Sequence, residues 1–141
     1  MSILISRKSY DDMLTHSMRS LPNEACGILI QDASSSEYDV HIHTFIPLHN
    51  HAAHPTREFS IHPVELLPYL TDKRRTVVGI FHSHPKAASI PSAEDLTTLW
   101  HTIPTYWILS LQQRENPDLQ VYALKKTTTT AYHKLSFVIG Q

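Results

Sequence analysis

The chain has 141 residues, of which 41% are hydrophobic and 18% charged, and its net charge is -1 with the histidines counted as neutral. These values fit one folded domain over residues 1–141, argue against intrinsic disorder, and leave no basic field with which to hold a nucleic acid. One cysteine, Cys26, cannot form an internal disulfide, and we recognise neither a signal peptide nor an apolar run long enough for a membrane span. We therefore expect a cytoplasmic protein that binds neither nucleic acid nor membrane.

The first part of the chain predicts a short strand and one helix. Residues 3–5 are apolar and could form an edge strand. Ser9 is a plausible N-cap for the helix that follows, and Pro22 would end it. Five apolar side chains at spacings of three and four would give this helix its buried face: Tyr10, Met13, Leu14, Met18 and Leu21.

Two strands separated by a polar turn are predicted next. Residues 27–30 are apolar enough for a buried strand, and Glu24 stands just ahead of it. Residues 32–37 are polar and rich in serine, which predicts a turn, and residues 38–48 alternate well enough for a second strand. A loop rich in histidine follows over residues 49–58. The inward side chains of the second strand would be Val40 and Ile42, then Phe45 and Ile46.

The rest of the chain predicts two more helices and five more strands. One helix begins at Pro63 and runs to about residue 70, with Pro68 expected to kink or shorten it. The other covers residues 92–102 and has Ser92 as its N-cap. The strands cover residues 59–61, 76–81, 106–111, 119–124 and 131–139, with a turn at residues 115–118. This succession predicts an α/β fold with a mixed, partly antiparallel sheet.

Two histidines at the end of the apolar run 76–81 predict a metal site. Successive side chains of a strand point to opposite faces, so His82 and His84 project the same way. Two imidazoles on one face supply half of a tetrahedral zinc site, and Asp95 is the candidate third ligand. Three protein ligands leave one position open, which distinguishes a catalytic zinc from a structural one.

The order of these residues resembles the JAMM motif of the MPN-type metalloproteases. Glu24 comes first, His82-Ser83-His84 follows, and after seven residues Ser92 stands three positions before Asp95. A lone HxH occurs often by chance, but this combination is specific, and the resemblance covers nearly the whole chain. It implies a sandwich fold with a curved, mixed β-sheet flanked by helices, and a zinc ion that hydrolyses amide or isopeptide bonds.

The resemblance also implies a role for each site residue. His82, His84 and Asp95 would be the zinc ligands. Glu24 would hold and deprotonate the attacking water, and Ser92 would help to bind the oxyanion. Zinc lowers the pKa of water and polarises a carbonyl, but the proton still needs a carboxylate that is not itself a ligand. Glu24 suits that task because it flanks an apolar strand, where desolvation would raise its pKa.

The short chain further resembles prokaryotic members of the family. Some of these trim the C-terminus of ubiquitin-like sulfur-carrier proteins and expose a Gly-Gly end. We therefore expect a ubiquitin-like or sulfur-carrier partner with a C-terminal Gly-Gly region. Its extended tail could add as a strand beside the active-site sheet, in a groove flanked by residues 49–58 and 86–91.

Several alternatives compete with these interpretations. Ser92 could be a helix cap alone, and Cys26 is best explained as a small buried hydrophobe. The zincin motif HExxH is absent, and one cysteine cannot supply the Pro-Cys-x-x-Cys pair of zinc deaminases. A catalytically silent MPN scaffold is the main rival, although such scaffolds lose ligands that this chain keeps. Five further histidines are expected to be solvated or hydrogen-bonded: His41, His43, His49, His51 and His54.

Overall fold

The structure is a computed structural model and describes residues 1–33, 36–97, 102–126 and 130–141. Its elements in chain order are β1 (Ile3–Ile5), α1 (Arg7–Ser20), β2 (Cys26–Asp32), β3 (Val40–Ile42), β4 (Thr44–Leu48), α2 (Pro63–Leu70), β5 (Arg75–His84), a 3-10 helix (Asp95–Thr97), β6 (Thr105–Ser110), β7 (Asp118–Lys126), β8 (Thr130–Leu135) and β9 (Val138–Ile139). Within these ranges, no helix combines the length and the apolar character that crossing a membrane requires.

A six-stranded sheet in the order β4-β2-β5-β6-β7-β8 forms the centre of the fold. Strands β5 and β6 pair in parallel, and the other neighbours in this sheet pair antiparallel. The predicted mixed, partly antiparallel sheet is therefore confirmed. Strand β5 is buried from Val77 to His84, because both faces of the sheet are covered and its near-continuous apolar sequence suits that position.

Two apolar clusters lie on opposite faces of the central sheet. Neighbouring residues of β2 alternate between them, so Leu29 packs with the first cluster and Ile28 with the second. The first cluster includes Met13 of α1, and the second includes Leu66 of α2. The two helices thus cover opposite faces, which gives the layered arrangement expected of the fold.

A second, three-stranded sheet in the order β3-β1-β9 corrects the position predicted for residues 3–5. Strand β1 is central, not an edge, because it pairs in parallel with both neighbours. Ile3 lies opposite Val40, and Ile5 lies between Ile42 of β3 and Ile139 of β9. These partners are far away in sequence, so a local apolar pattern could not have revealed them.

Two predicted single strands are each divided between the two sheets. In the segment 38–48, β3 pairs with β1 whereas β4 pairs with β2, and in the segment 131–139 the same division separates β8 from β9. At the first division, the backbone N–H of His43 donates to Ile30 O at 2.9 Å. Alternation of apolar residues continues through the change of sheet, so the sequence pattern could not mark it.

Three further predictions, of a helix cap, a strand and a helix, differ from the structure. The N-cap of α1 is Ser6, not Ser9, and Ser6 Oγ accepts the backbone N–H of Ser9. Apolar periodicity misses this start because the helix opens with Arg7 and Lys8.

Residues 59–61 form no strand, since Ser60 N–H donates to a side-chain oxygen, Asn50 Oδ1. The helix predicted over residues 92–102 is a 3-10 helix at Asp95–Thr97, and residues 98–101 lie outside the described ranges. The helix α2 contains Pro68 as predicted and ends at Leu70.

Candidate metal and catalytic site

Three buried side chains converge at the end of β5. His82 Nε2 lies 3.1 Å from Asp95 Oδ1, and His84 Nε2 lies 3.1 Å from Asp95 Oδ2. The two Nε2 atoms are 3.0 Å apart. The two rings reach the same point because they are two residues apart on one strand, as their spacing predicts. The structure therefore brings together the three residues proposed as ligands.

Asp95 is held in place by reciprocal hydrogen bonds with Ser92. The backbone N–H of Ser92 donates to Asp95 Oδ2 at 2.8 Å, and the backbone N–H of Asp95 donates to Ser92 Oγ at 3.1 Å. This arrangement caps the short 3-10 helix in the manner of a capping box. Ser92 is thus a cap, and it also lines the cavity at the site, so its catalytic role stays a prediction.

The loop after β5 determines which nitrogen of His84 is available. His84 Nδ1–H donates to the carbonyl oxygen of Ala88 at 2.7 Å. A carbonyl can only accept, so this bond places a proton on Nδ1 and leaves Nε2 as the nitrogen that faces Asp95. The His82 ring is oriented by packing instead: Phe59 stacks on it at 4.5 Å between ring centroids, and Tyr106 contacts it edge-on at 5.5 Å.

The chemistry of these groups fits a divalent metal ion. A carboxylate and an imidazole lone pair are both acceptors, so their close approach in a buried place requires a cation or a shared proton. His82, His84 and Asp95 offer ligand atoms that all lie within 4.8 Å of one another, and no other such group occurs in the described part of the chain. Two imidazoles and a carboxylate form a ligand set typical of catalytic zinc.

The pKa values at this point reflect burial opposed by close partners. Burial acts to raise the pKa of Asp95, but the charge of His82 and the hydrogen bonds from both histidines outweigh it and hold the pKa well below its usual range. Burial lowers the pKa of His82, and the nearby Asp95 only partly offsets this. For His84, burial is outweighed by the hydrogen bonds to Asp95 and Ala88, so its pKa is raised.

Glu24 lies beside this group and is buried, with 5% of its surface exposed. Its Oε1 atom has no hydrogen-bond partner among the residues that the structure describes. Desolvation raises the pKa of Glu24 to about 8, although the charge of His84 acts in the opposite direction and that of Asp95 adds to the rise. The expectation that burial raises this pKa is confirmed. A carboxyl with this pKa can both take up and release a proton near neutral pH.

Two residues that the sequence analysis overlooked fix the backbone around Glu24. Ser83, which points away from the two histidines, accepts the N–H of Ala25 on its Oγ at 2.8 Å and donates its own N–H to Ala25 O at 2.9 Å. Asn50 Nδ2 donates to Glu24 O at 3.0 Å. The alternation of β5 could have suggested Ser83 as the buried residue on the opposite face. No local pattern singles out Asn50.

An open cavity of about 450 Å³ leads to the site. Glu24, His84 and Ser92 line it. The rest of its lining consists of Pro22, Thr56, Arg57 and residues 85–87. The groove predicted between the loops 49–58 and 86–91 therefore corresponds to a real depression beside the converging side chains.

The five further histidines of residues 41–54 and Cys26 lie outside the group His82, His84 and Asp95. His43 Nδ1 accepts the backbone N–H of Asp32, and His41 Nδ1 lies 3.0 Å from Ser36 Oγ, so these two are hydrogen-bonded as expected. They lie in or beside strands, not in a loop. His51 pairs with Glu65 at 2.5 Å, whereas His49 and His54 are exposed. Cys26 is fully buried opposite His82, and burial raises the pKa of its thiol to about 12, which makes it a poor nucleophile.

The fold and the site define a class of protein that comparison with known families also identifies. A family model described as prokaryotic homologs of the JAB domain matches residues 6–125. The chain belongs to this family, as its motif predicts. A solution structure of a protein from Desulfitobacterium hafniense is similar over 99% of this chain and 93% of that one, with a TM-score of 0.81 and 30% identity. A JAB1/MPN domain protein from Archaeoglobus fulgidus shares the fold, with a TM-score of 0.61 and 20% identity over 97% of this chain and 98% of that one.

Three curated relatives have identities of 27–29%. The tail tip assembly protein K of Escherichia phage N15 is 29% identical over 81% of this chain, which spans 43% of that protein's length. A desampylase of Haloferax volcanii is 29% identical over 60% of this chain and 63% of its own length. A CysO-cysteine peptidase of Mycobacterium tuberculosis is 27% identical over 79% of this chain and 75% of its own length.

Proposed function

We propose that this protein is a zinc-dependent metallopeptidase that hydrolyses an amide bond at the C-terminal tail of a ubiquitin-like or sulfur-carrier protein. One observation carries the proposal: the buried carboxyl of Glu24 lies beside two imidazoles and a carboxylate that converge on one point, and one of its oxygens has no partner in the described ranges. The desampylase and the CysO-cysteine peptidase among the relatives favour hydrolysis at a protein tail. A silent scaffold would have no need to keep a desolvated carboxyl next to such a group.

His82, His84 and Asp95 would hold the zinc ion through Nε2, Nε2 and a carboxylate oxygen. When bound, zinc supplies a Lewis acid that polarises a carbonyl and lowers the pKa of water to about 7. The hydrogen bond from His84 Nδ1–H to Ala88 O keeps that ring in the tautomer whose Nε2 can bind metal. Asp95 stays ionised because its pKa is lowered, so a negative ligand is available throughout the neutral range.

Glu24 would move the proton during hydrolysis. Its carboxylate takes a proton from the attacking water, whose oxygen joins the carbonyl carbon. The C–N bond then breaks, and Glu24 delivers the proton to the departing nitrogen, which leaves as an amine. A pKa near 8 serves both steps, since the group must be a base at first and an acid afterwards.

Ser92 would assist with the charge that develops on the carbonyl oxygen. Its Oγ accepts the backbone N–H of Asp95, which leaves the hydroxyl proton free to be donated into the cavity. Loss of one oxyanion donor typically lowers the rate about 100- to 1000-fold. The capping bond and this donation use different parts of the hydroxyl, so one residue can provide both.

The proposal is tested with zinc-loaded protein and a panel of carriers that carry an extension after Gly-Gly. We expect cleavage after Gly-Gly, its loss on adding a chelator, and its return on adding zinc. Glu24→Gln should lower the rate about 100- to 10 000-fold while the metal content stays at one ion per chain. Glu115→Gln, at an exposed glutamate in the turn before β7, is the matched control and should behave as wild type.

Three results would count against the proposal. If the zinc-loaded protein cleaves no carrier in the panel, the substrate class is wrong. If Glu24→Gln loses its metal, Glu24 is a ligand and not the base. A protein that purifies without zinc and does not take it up would favour the scaffold alternative.

A further inference from the structure

We propose that Arg57 and Lys86 form a subsite for a carboxylate on the leaving-group side of the scissile bond. The inference rests on the proposed function and deepens it, because it distinguishes a departing residue that carries a free carboxylate from the side chain of a lysine joined through an isopeptide bond. In this subsite the carboxylate would be bound by two cations that line the same cavity.

The two cations line the same cavity. Arg57 follows Thr56 in the lining, and Lys86 stands between Pro85 and Ala87. Glu24 and His84 line the same space. A small anion that enters beside the proposed base would therefore meet a cavity lined by two positive side chains.

Neither cation is engaged elsewhere in the part of the chain that the structure describes. Other basic residues do have partners there: Lys8 pairs with Asp12 at 2.7 Å, and Arg74 and Arg75 both pair with Asp72. Arg57 and Lys86 form no ion pair or hydrogen bond through their side chains with any described residue. Their charges are therefore available for a ligand.

The backbone that carries Arg57 is tied to Glu24. The N–H of Arg57 donates to His54 O at 3.1 Å, which forms a turn around Pro55. Pro55 O in turn accepts the N–H of Glu24 at 2.7 Å. The turn that presents the guanidinium is therefore fixed relative to the proposed base.

The backbone that carries Lys86 is tied to the metal side of the site. Ala87 O accepts the hydroxyl of Ser110 at 2.6 Å, and Ala88 O accepts Nδ1–H of His84 at 2.7 Å. The turn after β5 is thus held at two successive carbonyl groups. The backbone of Lys86 is therefore fixed near His84, although its ammonium group is exposed and able to move.

The chemistry of the leaving group explains why cations are needed here. Glu24 must reach the departing nitrogen to protonate it, and in a C-terminal amino acid the carboxylate is only two bonds from that nitrogen. Cleavage of a C-terminal residue therefore brings a second negative charge next to a buried carboxyl. Two cations at the mouth of the cavity offset that repulsion, and Arg57 can bind a carboxylate through two parallel hydrogen bonds. A lysine side chain in isopeptide linkage brings no carboxylate near this place.

Three matched substrates of the zinc-loaded enzyme test the subsite. Each is one Gly-Gly-tailed carrier with a single added residue: alanine with a free C-terminal carboxylate, alanine amide, or aspartic acid with its C-terminus amidated. We expect wild-type kcat/KM to be about 10- to 100-fold higher for the free acid than for alanine amide, mostly through KM. In the aspartic acid substrate, the added residue has a carboxylate on its side chain and none at its C-terminus. Cleavage as fast as that of the free acid shows that the subsite accepts either carboxylate. Cleavage as slow as that of alanine amide shows that it accepts only the terminal carboxylate.

Variants assign the effect to the two cations. Arg57→Gln and Lys86→Gln should each reduce the ratio of acid to amide cleavage, and the double variant should bring it close to one. Arg57→Lys should retain part of the ratio, because it keeps the charge and loses the paired hydrogen bonds. Lys73→Gln is the control, since this exposed lysine lies just before the start of β5, the end of the strand opposite His84.

The outcomes separate this inference from the proposed function. Equal cleavage of acid and amide by wild-type enzyme, or a ratio unchanged in the double variant, overturns the subsite and leaves the peptidase proposal standing. Failure to cleave any of the three substrates with zinc bound overturns both. Since both side chains are exposed, circular dichroism and melting temperature of the variants should match wild type, which excludes misfolding as the cause of a lost ratio.

Discussion

At the level of single residues, the environment of Glu24 determines what its side chain can do. Its carboxyl is buried, and no described residue is a hydrogen-bond partner of its Oε1, so most of the solvation that normally favours the charged form is absent. The pKa consequently rises from 4.5 to about 8. A group of this kind is costly to keep charged, which makes it a candidate for function and not for stability.

That raised pKa predicts how stability depends on pH in the metal-free protein. Below pH 4.5 Glu24 is protonated in both the folded and the unfolded chain, and its contribution to stability is fully present. As pH rises towards about 8, the unfolded chain releases the proton while the folded chain still holds it, so the free energy of unfolding falls. Glu24→Gln has no carboxyl to titrate, so this loss is absent from the variant. The free energy of unfolding of the variant minus that of wild type should therefore increase by about 1–3 kcal/mol as pH rises between these two values.

Urea unfolding of chelator-treated wild type and variant at pH 5, 7 and 9 measures this difference. Glu115→Gln is again the control, because its exposed carboxyl should add no such pH dependence. A constant difference between Glu24→Gln and wild type over this pH range would show that Glu24 ionises normally in the folded state.

The residues that the sequence identified are those whose role follows from local spacing. His82 and His84 share a strand face, and Ser92 caps a turn three residues before Asp95. The residues that it missed act across long separations. Ser83 bonds to Ala25 over 58 positions, and no pattern in a single sequence encodes such a pairing.

At the level of elements, Asn50 organises the segment between β4 and α2. Its Nδ2 donates to Glu24 O and Glu58 O, both at 3.0 Å. Its Oδ1 accepts the N–H groups of Ala52 at 3.0 Å and Ser60 at 3.1 Å. One side chain thereby replaces the strand predicted for residues 59–61 and ties this segment to the residue proposed as the base.

Replacing Asn50 by aspartate should affect catalysis as well as stability. Asn50→Asp keeps the size of the side chain but puts an acceptor opposite two carbonyl oxygens, so buried acceptors lose their donors. We expect the free energy of unfolding to fall by about 1–3 kcal/mol and kcat to fall about tenfold or more. The measurements are urea unfolding and kcat of the zinc-loaded enzyme, with Asn116→Asp, at an exposed turn asparagine, as the control. A variant that is less stable but has wild-type kcat would show that Asn50 does not position Glu24.

Apolar patterns predicted the kind of most elements but not their limits or their partners. The segments of β2, β5, β6 and α2 were identified because each is one apolar run or one periodic helix start. The segments 38–48 and 131–139 were predicted as single strands because alternation does not record a change of sheet. Which strand pairs with which depends on contacts between distant residues, and local propensity carries little of that information.

At the level of the whole molecule, the site lies where distant parts of the chain meet. The segment before β2 brings Glu24, the end of β5 brings the two histidines, and the turn after the following loop brings Asp95. The motif resemblance predicts this combination of residues from the sequence, whereas apolar periodicity alone predicts only a mixed α/β fold. A metal ion bound at this junction would hold segments separated by up to 13 positions, from His82 to Asp95, and would add to the stability of the fold.

The most direct test of the account locates the metal in crystals grown with one equivalent of zinc. An anomalous difference map at the zinc absorption edge should show one strong peak per chain, about 2.0–2.2 Å from His82 Nε2, His84 Nε2 and an oxygen of Asp95. The carboxyl of Glu24 should lie beside this peak without bonding to it. A peak elsewhere in the molecule, or one in which Glu24 is a ligand, would contradict the account.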